Sequence, residues 1–81
     1  MIFTTQIKVM PLKELLDPQG KAVLGSLSHL NLSAIQDVRI GKHIALQIEA
    51  ETKEAAIAIA TEAAKKLLAN QVMEMFEVWI D

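Results

Sequence analysis

His29 and His43 are the only histidines in the chain, and there is no cysteine. A structural or catalytic transition-metal site needs several nitrogen, sulfur or carboxylate ligands converging on one point. The two histidines fall in different predicted elements, so each reads as an ordinary, partly exposed residue. Ser26 and Ser28 lie close to His29, but adjacent helix positions do not face each other, and a nucleophile must touch its base. Glu49 with Glu51, and Glu74 with Glu77, are the nearest approaches to a carboxylate pair. Acid–base work would require a shared, buried environment that splits their proton affinities, and solvated or ion-paired side chains are the simpler reading. The three glycines never form a phosphate-cradling loop.

Three groups of residues ask for more. Asp17-Pro18-Gln19-Gly20 supplies a helix cap, yet Gln19 and Gly20 exceed what a cap requires. Val38-Arg39-Ile40-Gly41-Lys42 reads as a strand whose Arg39 offers a planar donor fork to a partner's carboxylate. Met73, Met75 and Trp79 gather on one side of the last strand. Tryptophan and methionine are enriched at subunit contacts, so this cluster reads as an oligomer interface before it reads as a ligand platform.

Alternation over residues 2–10 predicts a strand, with Phe3, Thr5, Ile7 and Val9 on one face. Pro11 should end it. Asp17 as N-cap and Pro18 at the first helical position predict a helix start there. Val23, Leu24, Leu27 and Leu30 form its apolar stripe, and Asn31 ends it. Gly25 inside this helix costs ~1 kcal/mol against alanine, which a close backbone neighbour would justify. Val38–Ile40 is a second predicted strand, with a hairpin or bulge at Gly41, and residues 43–49 a third. Thr52 caps a second helix over 53–69, with Ala56, Ile59, Ala60, Ala63 and Leu67 facing inward. Asn70 is placed in the left-handed conformation at its end. Residues 72–80 form the last strand.

This order, βαββαβ, predicts an α+β fold of ferredoxin-like type. A four-stranded antiparallel sheet carries two helices on one face, in a single domain over residues 1–81. Hydrophobic residues make up 52% of the 81 and charged residues 22%, with a mean hydropathy of +0.30. So small a domain cannot cover that much apolar surface by itself, and the remedy is burial against another chain. Net charge is −2, and Phe3, Phe76 and Trp79 lack basic neighbours, which argues against nucleic acid. The start Met1-Ile2-Phe3-Thr4-Thr5-Gln6 lacks a signal-peptide pattern, and no apolar run approaches the ~20 residues of a membrane span. A cytoplasmic protein is expected.

Leu16-Asp17-Pro18-Gln19-Gly20-Lys21-Ala22-Val23, then Val38-Arg39-Ile40-Gly41-Lys42, then Leu67-Leu68-Ala69-Asn70 with Val72-Met73-Glu74 resemble the PurS family. That family is the small subunit of the bacterial and archaeal phosphoribosylformylglycinamidine synthase complex. The resemblance covers essentially the whole chain. Gln71 stands where the family usually has proline, and Phe76 near where it often has tyrosine.

The resemblance implies a symmetric dimer, sometimes paired into a tetramer, that joins a large ATP-dependent synthetase and a glutaminase. Together they convert formylglycinamide ribonucleotide, glutamine and ATP to formylglycinamidine ribonucleotide in purine synthesis. The small subunit carries no catalytic residue and binds no cofactor; ATP and Mg belong to the synthetase. It bridges the other two and aids ammonia transfer. Asp17, Gln19, Arg39 and Lys42 are then candidates for docking a partner. A dimeric small-molecule-sensing domain is the competing reading, and a standalone enzyme ranks below both.

Overall fold

A computed structural model describes all residues, Met1 to Asp81. Strand β1 (Ile2–Pro11) is followed by helix α1 (Pro18–His29), strand β2 (Lys42–Glu49), helix α2 (Lys53–Ala63) and strand β3 (Glu74–Ile80). The sheet has three strands in the order β2-β1-β3, both pairings antiparallel. This corrects the expected four-stranded ferredoxin-like sheet. The missing strand is Val38–Ile40, whose backbone groups are taken elsewhere. The Ile40 N–H donates to Asp17 Oδ2 at 2.8 Å, and the Val38 N–H to Asp37 Oδ1 at 3.0 Å. With those donors occupied by side chains, no ladder forms, and Gly41 makes no hairpin. Gly41 instead lies so close to the Val9 carbonyl and Met10 that a Cβ would overlap both.

The alternation in β1 holds. Thr5, Ile7 and Val9 are fully buried beneath α2, flanked by Phe3, Ile44, Leu46, Ile48, Phe76, Val78 and Ile80. Thr52 caps α2 by accepting the Ala55 N–H at 3.1 Å, and Glu54 in the first turn complements the helix dipole. Ala56, Ala60 and Ala64 are fully buried, so small side chains let the helix sit close on the sheet. The helix does not run evenly to 69. Ala64–Leu68 is a π-turn, closed by the Ala69 N–H to the Ala64 carbonyl at 2.9 Å. The extra residue in that turn rotates the sequence. Leu68 packs inward while Leu67 points to solvent; Ile59, ahead of the turn, is exposed as well.

Beyond the π-turn, Asn70 keeps a negative φ, since Asn31 is the only non-glycine residue in the left-handed region. Asn70 instead builds a turn with its side chain, accepting the Val72 N–H at 3.1 Å, while its own N–H donates to Glu74 Oε1 at 2.8 Å. Strand β3 therefore starts at Glu74 rather than 72.

Helix α1 starts and stops where its sequence signals lie. Asp17 accepts the Gly20 N–H at 3.0 Å. At the far end Asn31 has φ 63°, the Leu32 N–H reaches the Leu27 carbonyl and the Asn31 N–H the Ser28 carbonyl. That pair of bonds is a Schellman ending. The expectation that α1 covers the sheet is overturned. Its only buried residue is Gly20, and it takes no part in the principal packing of helix on strand. Nothing in the chain comes within 4 Å of a Cβ at Gly25. The molecule is long and thin, 50 × 25 × 14 Å, with a radius of gyration of 16.1 Å. A compact chain of this length has about 12 Å.

Candidate functional site

The residues singled out in the sequence fall into two regions. The first is the root of α1. Asp17 is buried there and its two oxygens are fully engaged, one by Gly20 N–H and the other by Ile40 N–H. These bonds hold its carboxyl below the usual carboxylate range: the Ile40 N–H contributes most, then Gly20. Desolvation opposes them, and the Arg39 charge assists. Arg39 turns its fork onto the loop between β1 and α1. It donates to the Leu12 carbonyl at 2.6 Å, with longer contacts to Pro11 (3.3 Å), Leu15 (3.4 Å) and Lys13 (3.5 Å). One arginine thus gathers four carbonyls of a single turn that would otherwise leave them to solvent.

Lys42 is exposed and donates to the Leu68 carbonyl at the end of the π-turn, at 3.2 Å. Gln19 is exposed on the first turn of α1, at the rim of an open groove that runs past Pro11, Leu16, Ile40, Asn70 and Met73. Asp17 and Arg39 therefore organise the region, whereas Gln19 and Lys42 present it. Gly20 belongs with the organisers: a Cβ there would fall 2.1 Å from the Val38 carbonyl oxygen. The sequence marked this glycine as surplus to a cap but gave no reason for it. The reason is the close pass of a segment almost twenty positions further on.

The second region is the sheet face opposite α2. Trp79 pairs across β1 with Gln6, and Met75 with Met10. The Trp79 ring meets His43 edge-on, 5.6 Å between centroids at 84°. His43 Nε2–H donates to Gln6 Oε1 at 2.6 Å, and Lys8 pairs with Glu77 at 3.5 Å. Trp79 is half-buried, while Met73 and Met75 remain 53% and 43% exposed. Met73 lies just before β3, in the turn, where its carbonyl accepts the Leu12 N–H at 2.9 Å. Met10 and Met75 hold one end of this face, and Trp79 lies in its middle among polar residues, with the Lys8–Glu77 pair between it and the methionines. No three histidine, aspartate or glutamate side chains are placed to share a metal ion.

Against known proteins, the family model PurS, described as phosphoribosylformylglycinamidine (FGAM) synthase, matches residues 4–81. The chain belongs to the PurS family. The PurS subunit of phosphoribosylformylglycinamidine synthase from Bacillus subtilis is 34% identical over 80 residues, which is 99% of this chain and 94% of that one. The Mycobacterium leprae PurS subunit is 41% identical over 68 residues, 84% of this chain and 82% of that one. Among solved structures, the matching chain in the structure of PurLQS from Thermotoga maritima superposes with a TM-score of 0.92. It is 33% identical, with 100% of this chain and 99% of that chain covered. The Bacillus subtilis PurS C2 crystal form gives 0.87 at 34% identity, covering 100% and 99%. The match spans the root of α1 and the open sheet face alike, so both regions belong to the shared PurS framework.

Proposed function

We propose that this chain is the small, non-catalytic subunit of phosphoribosylformylglycinamidine synthase in purine biosynthesis, and that it acts by fixing geometry between its partners. The observation that carries this reading is the end-to-end match to the chain seen in PurLQS. In the assembly it associates with itself, with the ATP-dependent synthetase and with the glutaminase. ATP and Mg serve the synthetase. Ammonia released at one active site must reach the next before it is protonated or lost. A rigid bridge supplies proximity, which is worth several kcal/mol without any bond being made by the bridge.

Gln19 and Lys42, held out by the Asp17–Arg39 root, are the side chains suited to dock a catalytic partner. Met73, Met75 and Trp79 are suited to self-association across the open face. No helix is long and apolar enough to cross a membrane, which agrees with work in the cytoplasm beside the other two subunits.

The test is reconstitution of the synthetase and glutaminase with and without this chain. Bridging predicts that the synthetase still makes product from added ammonium salt alone, while glutamine-dependent synthesis collapses unless the chain is present. Undiminished glutamine-dependent synthesis in its absence would overturn the proposal. So would failure of the three proteins to co-elute.

A further inference from the structure

The chain has four methionines and no cysteine. With no thiol to react first, a peroxide meets the thioethers as the softest nucleophiles on the molecule. Three of the four, Met10, Met73 and Met75, gather at one end of the open sheet face. Met10 and Met75 are opposed across β1 and β3. Met73 stands two positions before Met75, and its carbonyl holds the Leu12 N–H just past the end of β1. Their access differs. Met10 is half-buried, with its Sδ packed where a Cβ at Gly41 would lie. Met73 and Met75 are 53% and 43% exposed. Met1, at 71% exposure, lies at the opposite end of the sheet, where its carbonyl accepts the Ala50 N–H.

We propose that Met73 and Met75 are a reversible oxidation site that sets whether the open face can associate. A peroxide ROOH transfers its terminal oxygen to the sulfur lone pair: an S–O bond forms, the O–O bond breaks and ROH leaves. Sulfur gives up the two electrons that the peroxide gains. The product, methionine sulfoxide, carries a strongly polar oxygen where a flexible apolar side chain stood. Burying that oxygen without a donor is unfavourable. The donors on this face are already engaged, Lys8 with Glu77 and His43 with Gln6. The site therefore acts before assembly: once copies close over the face both thioethers are covered, while a chain oxidised beforehand is held out. A dithiol-dependent sulfoxide reductase removes the oxygen as water and restores the apolar surface. This inference rests on the reading above that Met73, Met75 and Trp79 form a self-contact.

The experiment treats the chain with hydrogen peroxide, locates the sulfoxides by peptide mass spectrometry and follows association by sedimentation equilibrium. Sulfoxide at Met73 and Met75 should raise the dissociation constant at least tenfold, and sulfoxide reductase with dithiothreitol should reverse the change. Met73→Leu/Met75→Leu keeps an apolar side chain of similar volume at each exposed site, so circular dichroism should show the fold retained. That variant should associate as the wild type does and keep its affinity after peroxide, even with Met1 oxidised. Equal loss in the leucine variant would overturn the proposal, because another residue would then be the responsive one. Met73→Gln/Met75→Gln separates this inference from the reading beneath it. If the glutamine variant associates weakly but the verified sulfoxide chain associates normally, the oxidation site alone falls. If both associate normally, the self-contact at these residues falls with it.

Discussion

The carboxylate of Asp17 spans a sequence separation of 23 residues to accept the Ile40 backbone N–H at 2.8 Å, while its other oxygen caps α1. Deprotonated, it accepts both bonds; protonated, it would present a hydroxyl to a backbone donor. Its folded-state pKa is lowered below the ~3.9 of an unfolded aspartate. The ionised group therefore favours the folded chain. That contribution is complete above about pH 4 and disappears as pH falls through the folded value. Thermal melts of the wild type and Asp17→Asn should differ most near neutrality, and the gap should close below about pH 4. A gap that stays constant down to pH 3 would show that the charge is irrelevant.

Arg39 makes one short and three longer contacts to loop carbonyls. Hydrogen bonds from a charged donor contribute about 1.5–3 kcal/mol, so Arg39→Ala should lower stability by roughly that amount and loosen the root of α1. Arg39→Lys should recover little, because a single ammonium cannot replace a planar fork. Urea titration of both variants, with hydrogen exchange on residues 12–17, reads the effect. The core of sheet and α2 should stay folded in each. Equal stability of the lysine and wild-type proteins would refute the fork argument.

Two glycines in one helix should respond in opposite directions. Gly20→Ala drives a methyl into the Val38 carbonyl, which is backbone and cannot swing aside. It should separate the start of α1 from the segment at Val38 and lower the melting temperature. Gly25→Ala meets open space and replaces a poor helix former, so it should raise stability of the isolated chain by about 1 kcal/mol. Denaturant midpoints for the two variants test the contrast. A destabilising Gly25→Ala would mean that another surface needs that position bare.

Thr5 Oγ1 is buried and has no hydrogen-bond partner. A hydroxyl in that position costs about 1–3 kcal/mol in protein substitution series. Thr5→Val keeps the shape and removes the polar atom, so stability should rise by an amount in that range. Chemical denaturation decides the matter, and a loss of stability would place an unrecognised partner on the hydroxyl.

The residues that were legible in advance are those whose neighbours are close in sequence. Thr5, Ile7 and Val9 announced their face through strict alternation. Asp17-Pro18, Asn31 and Thr52 announced helix ends through chemistry confined to a single turn. The segment Val38–Ile40 misled because β-branched residues favour an extended backbone without saying who pairs with it. Here the donors were claimed by Asp17 and Asp37, one of them distant. Arg39 looked free for a partner because the carbonyls it grips lie more than twenty residues earlier. Leu67 was assigned to the core on an even helical period, which the π-turn at Ala64–Leu68 interrupts. Part of the exposed apolar surface expected on the sheet lies instead on α1 and the segment after it, at Val23, Leu30, Leu32 and Ile35.

β1 is central, and both of its neighbours come later in the sequence: Phe3 lies against Ile48, and Thr5 against both Leu46 and Ile80. Made before either neighbour, β1 is paired on both edges only after β3 has been made. At roughly 5–20 residues per second, translation leaves it waiting for several seconds with Ile7 and Val9 bare. No shorter nascent fragment contains the finished sheet. The chain becomes a folded subunit, able to meet its partners, only once Glu74–Ile80 has emerged.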